Sequence, residues 1–422
     1  VEEKSIQDRE VVRAPMEAFA GPLDPSAELK SLAEMFVLQG KYDEAKALYE
    51  RVIAIDEKAH GPDHPGLAAD LNDLAELLRV QGQYDEARPL YDRSLEIRTR
   101  ALGEEHSDVA QSLSNLASLL RAQCKYLEAK PLVERSLAID EKVFGPTHPK
   151  VATDLNNLAE LSRAQGLYGQ AQSLHERALD VRKSFFGEEH PDVAQSLNNL
   201  ALSLRAQGKY AEAKPLYERA VAIDEKTLDP DHPDLATRLN NLAVVLDAQG
   251  KYGEARLLHD RSLIIRKKVL GDEHPEVAQS LSNLASSLRA QGQYGEAQSL
   301  FERALAIDEK AYGPEHPEVA TDLNNLGGLL ASQGKFDRAR PLFERAIAIG
   351  EKTLGRDHPE VAIRLNNLAI LLSNHFGEHL HALQLMTRCV SIRERLLPAD
   401  HPHLLGSKQA KAALEARCTE NL

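Results

Sequence analysis

The sequence predicts an all-α solenoid of about nine helix–turn–helix units, and three observations support that fold class. First, a His-Pro pair recurs every 42 residues, at His64, His148, His190, His232, His274, His316 and His358. His106 keeps the beat with Ser107 in place of proline, and His401-Pro402 arrives one residue late. A fixed period of this length marks a stacked array of one supersecondary unit rather than a single globular core. Second, each period carries the apolar spacing of an amphipathic helix. Third, alanine and leucine supply most of the apolar residues while tryptophan is absent, which suits close helix–helix contact.

The stretch from His64 to Gly103 shows the unit. Pro65 fits the first position of a helix, where a missing N–H costs nothing. Ala68, Leu71, Leu74, Ala75 and Leu78 then form the buried stripe. Gln81-Gly82-Gln83 breaks the helix, with glycine free to take positive φ. A second helix is expected from about Asp85, burying Ala87, Leu90, Tyr91, Leu95 and Ile97, with Pro89 near its first turn. Leu102-Gly103 ends it. The same unit places first helices near Ser26, Pro65, Ser107, Pro149, Pro191, Pro233, Pro275, Pro317 and Pro359. Residues 1–25 read as an irregular lead-in, 26–400 as the solenoid, and 401–422 as a capping helix and tail with Lys408, Gln409 and Lys411 facing solvent. Because units in such an array couple only to neighbours, excising one of them, such as 191–232, is expected to leave a shorter folded solenoid. Alternate units share finer detail. G-E-E-H-S-D-V-A-Q-S-L at 103–113 returns in close variants at 187–197 and 271–281, an 84-residue duplication that common descent alone would explain.

Composition narrows the function. A net charge of −14 disfavours non-specific contact with nucleic acid or anionic membranes. Three cysteines, Cys124, Cys389 and Cys418, form no disulfide framework and no C-x-x-C pair, which fits a reducing, cytoplasmic setting. The opening V-E-E-K-S-I-Q-D has no apolar signal core, and no apolar run is long enough to span a bilayer. There is no Gly-rich phosphate loop, no G-x-S-x-G and no H-E-x-x-H, so neither an enzyme nor a cofactor is expected. Regularly spaced histidines invite a metal reading, but stacked repeats hold equivalent residues on the order of 10 Å apart. Zinc needs its ligands within about 2.3 Å of one centre. A capping role for each imidazole is the simpler reading. His375, His379 and His381 cluster beside a one-residue insertion in the ninth unit and are the one local metal candidate.

The spacing Leu74-Ala75, Leu78, Gly82, Tyr84, Ala87, Tyr91, Ser94 resembles the tetratricopeptide repeat. The longer unit, with L-N-N-L-A, Q-G-K-Y-x-E-A and G-x-x-H-P-x-V-A, is similar to the kinesin-light-chain type of that repeat, over about residues 26–400. The resemblance implies a right-handed superhelix whose first helices line a concave groove that binds extended peptide segments. Nothing in residues 1–25 resembles the heptad coiled coil that joins kinesin light chains to a motor.

Helical geometry marks the same groove independently. Opposite the leucine stripe lie Ala69, Asp73, Glu76 and Val80, flanked by Asn72 and Arg79. Down the array the Asn72 and Asp73 positions become Ser114-Asn115, Asn156-Asn157, Asn198-Asn199, Asn240-Asn241, Ser282-Asn283, Asn324-Asn325 and Asn366-Asn367. Asparagine is a mediocre helix former, so its recurrence calls for a reason. Its amide can clamp the backbone of an extended peptide, or it can bond the neighbouring helix. The Arg79 position repeats as Arg121, Arg163, Arg205 and Arg289, a basic strip suited either to carboxylates or to a solvated rim paired with Glu76 and Glu160. The Glu76 position turns apolar later, at Leu202, Val244, Gly328 and Ile370. The expected function is a protein-interaction scaffold for acidic or amphipathic peptide segments. The alternative is the sensor or autoinhibitory array of a larger effector, such as a caspase-like protease or a signalling NTPase.

Overall fold

A computed structural model describes residues 25–420, so the expected irregular lead-in over 1–25 lies, apart from Pro25, outside the described residues. The described residues form helices and short connections, without strands. The first helices of the units are α1 (Pro25–Leu38), α3 (Leu67–Val80), α5 (Ser107–Ala122), α7 (Pro149–Ala164), α9 (Pro191–Ala206), α11 (Pro233–Ala248), α13 (Pro275–Ala290), α15 (Pro317–Ser332) and α17 (Pro359–Leu371). Their partners are α2 (Tyr42–His60), α4 (Tyr84–Leu102), α6 (Tyr126–Phe144), α8 (Tyr168–Phe186), α10 (Tyr210–Thr227), α12 (Tyr252–Leu270), α14 (Tyr294–Tyr312), α16 (Phe336–Thr353) and α18 (His379–Leu396). A final helix, α19 (Pro402–Glu420), covers α18 through buried Leu404 and Leu414. None of the described helices is long and apolar enough to cross a membrane.

The recurring histidine is a helix cap. In His106, His148, His190, His232, His274, His316 and His358, Nδ1 accepts the backbone N–H two residues on, at 3.1–3.2 Å. This satisfies one of the donors that a helix start leaves open. The ring is braced from behind where the preceding helix ends in an aromatic residue, as Phe186 on His190 and Tyr312 on His316, with centroids 4.1 Å apart. At His64 the helix begins two residues later than expected, because Pro65-Gly66 first makes a tighter turn with i→i+3 bonds from Leu67 and Ala68. Pro89 also sits deeper than expected, at the sixth residue of α4, where it deletes one helical hydrogen bond.

Between the two helices of a unit the chain turns through a residue with positive φ, as Gly82 at +70°. Cys124 occupies that conformation in the third unit at +56°, alone among the described non-glycine residues. The one-residue insertion of the ninth unit is absorbed by a π turn over Leu372–Phe376, which returns Gly377 to the same left-handed position.

The 84-residue period has a packing basis. Two kinds of interface between successive units alternate. In one, an arginine of the second helix reaches forward to a serine of the next first helix. Arg98, Arg182 and Arg266 donate to Ser112, Ser196 and Ser280 at 2.9–3.1 Å, and to the carbonyls of Asp108, Asp192 and Glu276. In the other, those positions hold acids, Asp140 facing Asp154 and Asp308 facing Asp322. Twice the acidic partner is replaced. Arg238 pairs with Asp224 at 2.9 Å, both fully buried, and Arg364 fills the space left by Gly350.

The units wind into a superhelix. First helices of successive units touch directly and second helices do not pack as closely, so the first helices line the concave side. Between five and six units further on, the next turn meets the first. His316 Nε2 donates to the carbonyl of Val80 at 3.2 Å, and His358 Nε2 to that of Ala122 at 3.3 Å. Tyr168 Oη lies 2.9 Å from His401 Nε2, and Tyr42 stacks on Tyr312 at 5.3 Å. Burial pushes His316 and His358 down to about 4, so both are neutral and can accept through Nδ1 while donating through Nε2.

Candidate functional site

The concave face is built from the sides of the first helices that the leucine stripe leaves free. The two asparagines of each pair occupy different environments there. Asn156, Asn198 and Asn240 are buried. Asn156 and Asn240 bond the Nδ1 atoms of buried His175 and His259 at 3.0 Å. Further bonds run along the array, since Asn115 donates to Asn72 at 2.6 Å, Asn241 to Asn198 at 2.9 Å and Asn367 to Asn324 at 2.9 Å. Asn199 accepts from Gln195 and Asn198. Asn157, Asn283, Asn325 and Asn366 make no side-chain hydrogen bond among the described residues, and each is half-buried on the concave side.

The arginines divide as well. Arg79 is forked onto Glu76, which also accepts from Tyr91 Oη at 2.7 Å. Arg163 is paired with Glu160 at 2.6 Å, beside buried His175. These pairings hold Glu76 below its usual range against the cost of burial, and Glu160 down at about 2. The side chains of Arg121, Arg205 and Arg289 have neither a hydrogen bond nor an ion pair among the described residues. They stand two units apart. Burial lowers Arg121 from its ordinary value; the Glu160 carboxylate opposes that shift, and the charges of Arg79 and Arg163 add to it. Arg289 extends over Gly328, where a Cβ would stand 2.8 Å from its Nη1. Downstream the face turns apolar, with Ile363 and Ile370 exposed.

One cavity of about 510 Å³ opens on this face where two turns of the superhelix adjoin. Gln279, Asn283, Thr321 and Asn325 line it from one turn, and Val37, Leu38 and Val80 from the other. Asp308, Glu318 and Asp322 border it too, which the residue pattern did not mark as special. For Asp308 and Asp322 the only signal was the alternation of acid and arginine at the unit interfaces. His375, His379 and His381 go to separate partners, namely the Phe336 ring, Ser373 and Glu378. Among the described residues no three His, Cys, Asp or Glu side chains gather as metal ligands would.

Eight overlapping matches to the tetratricopeptide repeat model run from residue 25 to residue 395. The chain belongs to the tetratricopeptide repeat family. Its repeat has a period of 42 residues. A solved structure of a Podosopora anserina protein, described as a kinesin light chain with nearly identical TPR-like repeats, is 32% identical over 49% of this chain and 98% of that one, with a TM-score of 0.41. BtubC (BKLC) from P. vanneervenii is 23% identical over 57% of this chain and 93% of its own, with a TM-score of 0.42. The apo form of RapI, 15% identical, covers 68% of this tetratricopeptide repeat chain and 98% of its own at a TM-score of 0.50, a likeness of fold alone. No curated protein matches the chain. The family is one of repeat scaffolds that serve protein–protein interaction.

Proposed function

We propose that this array holds extended, carboxylate-bearing peptide segments of partner proteins on its concave face and contributes no chemistry of its own. The observation that carries the reading is the set of unpartnered arginines, Arg121, Arg205 and Arg289. A half-buried guanidinium that no carboxylate contacts directly is a standing cost that an incoming carboxylate relieves, with a forked pair of hydrogen bonds as the geometry offered. Arg79 and Arg163 are already satisfied by Glu76 and Glu160 and act as spacers between the free ones. Asn157, Asn283 and Asn325 offer amides with both donor and acceptor open, as a peptide backbone requires. Three unpaired thiols support a reducing, cytoplasmic setting for such a scaffold.

The test is fluorescence anisotropy with labelled polyglutamate and polylysine peptides. Polyglutamate is expected to bind in spite of the net charge of −14, and polylysine, favoured by that overall charge, to show only weak salt-labile association. The triple variant Arg121→Gln, Arg205→Gln, Arg289→Gln should lose about tenfold in affinity per residue, and the loss should shrink in high salt. Arg79→Gln with Arg163→Gln should cost much less. Ala at Asn157, Asn283 and Asn325 should weaken binding independently of salt. Wild-type affinity in the arginine triple variant would place the peptide elsewhere.

A further inference from the structure

The contact between successive turns is a built seam. It repeats at unit spacing, joining the turn residues Gly40, Gly82, Cys124 and Gly166 to the capping segments at His274, His316, His358 and His401. A Cβ on Gly40 or Gly82 would stand 3.2 Å from Pro275 or Pro317, and one on Gly166 would stand 3.1 Å from Pro398. The same turn in later units, at Gly208, Gly250, Gly292 and Gly334, has the same positive φ with open space around it. Glycine therefore serves the backbone in every unit but the third, and in the first, second and fourth it also permits close approach of the next turn. In the third, the half-buried Cys124 thiol enters the seam beside Gly355, Asp357 and His358, and burial pushes it up to about 11.

An open superhelical groove can be entered from the side along its whole length. Here the wall is bridged at four successive units where turn meets turn. Asn283 and Asn325 lie within the bridged part, with Leu38 and Val80 of the other turn across the cavity from them. We propose that the concave face is a laterally closed bore. Its occupant is an extended, unfolded segment that enters by a chain end, and not a folded domain or a loop held between two folded neighbours. This inference rests on the peptide-binding reading above and adds the route and the topology of the ligand.

Two measurements test it. The first needs no ligand. With Cys418→Ser throughout and Cys389 buried, the rate at which Cys124 reacts with a thiol reagent is compared with that of the thiol introduced by Gly250→Cys in a Cys124→Gly chain. Cys124 is expected to react at least roughly tenfold slower, gated by opening of the seam. The double variant His316→Ala, His358→Ala should speed its reaction. His190→Ala with His232→Ala removes the same helix caps where no turn lies opposite, and should leave it slow. Equal rates at the two positions in the otherwise intact array would overturn the closed bore. The second uses a polyglutamate peptide, either free at one end or fused at both ends to a small folded protein. The blocked peptide should associate roughly tenfold or more slowly, since it must wait for the seam to part. The His316→Ala, His358→Ala variant should erase that difference. Equal association in the wild-type array overturns the proposal. If neither peptide binds, the acidic-peptide reading fails, while the thiol rates still decide whether the bore is closed.

Discussion

A chain lacking residues 191–232 is expected to melt well below one lacking residues 191–274, although the second loses twice as much protein. Nearest-neighbour coupling alone treats the two excisions alike, but the alternating interfaces do not. The shorter cut joins His190 to Pro233, so Arg182 meets Arg238 in place of Ser196. Arg238 has at the same time lost Asp224, its buried partner at 2.9 Å. Two facing guanidinium groups left with only the half-exposed Asp234, 3.8 Å from Arg238, as a counter-charge cost on the order of 3–5 kcal/mol at that junction. The longer cut joins His190 to Pro275 and brings Ser280 opposite Arg182, restoring a native pairing. Thermal melts followed by circular dichroism separate the cases. Adding Arg238→Ser to the shorter chain should recover most of the loss. Coincident melts for the two excisions would show that the alternation carries no energy.

Raising the pH from 6.5 to 8.5 is expected to destabilise the array, and Asp308→Asn to remove most of that slope. Burial pushes Asp308 up to about 9, with Asp322 and Glu318 adding to the effect, and Asp322 is itself raised to about 7. The pair faces Ser282, which donates to Asp322 Oδ1 at 2.9 Å, and lies near Glu309 and Tyr312. An aspartate raised in the folded state favours folding below its ordinary value of 3.8, and that contribution is lost as the pH climbs towards the folded value. One proton retained by the pair across this window gives about 1.4 kcal/mol per pH unit, or roughly 2–3 kcal/mol in all. His316 and His358 act in the opposite sense. Lowered from 6.5 to about 4, they favour folding above pH 6.5 and lose that contribution as the pH falls towards 4, so they are silent in the alkaline window. Melting midpoints at fixed ionic strength would test this, and a slope unchanged by Asp308→Asn would mean that other groups hold the proton.

Local features were the most legible from the residues. The His-Pro beat, the leucine stripe and the turn glycine each act within one unit, and each forms the helix start, buried face or turn expected of it, save at His64, where the helix starts two residues late. The asparagine pairs were less so. Helical geometry separates Asn198 from Asn199 by one position, but whether Asn198 faces a peptide or Asn241 depends on how far the next helix is rotated. The seam was out of reach, because a contact such as His316 to Val80 depends on the pitch of the superhelix, a sum of many small rotations. The interface alternation did leave a trace. Arg98 with Ser112, Arg182 with Ser196 and Arg266 with Ser280 recur fourteen residues apart, and where Arg238 and Arg364 break the pattern their partners Asp224 and Gly350 depart from it or complete it.

The seam also changes how the molecule answers to force. A solenoid whose units touch only their neighbours is a soft spring, and a pull on its ends is taken up by small rotations shared among all the interfaces. Pinned at four successive units, this one cannot lengthen by shared rotation until those contacts give way. Its extension should begin with a stiff regime, yield over a narrow range of load and only then become compliant. A partner that tugs on one end would meet a latch first and a spring afterwards.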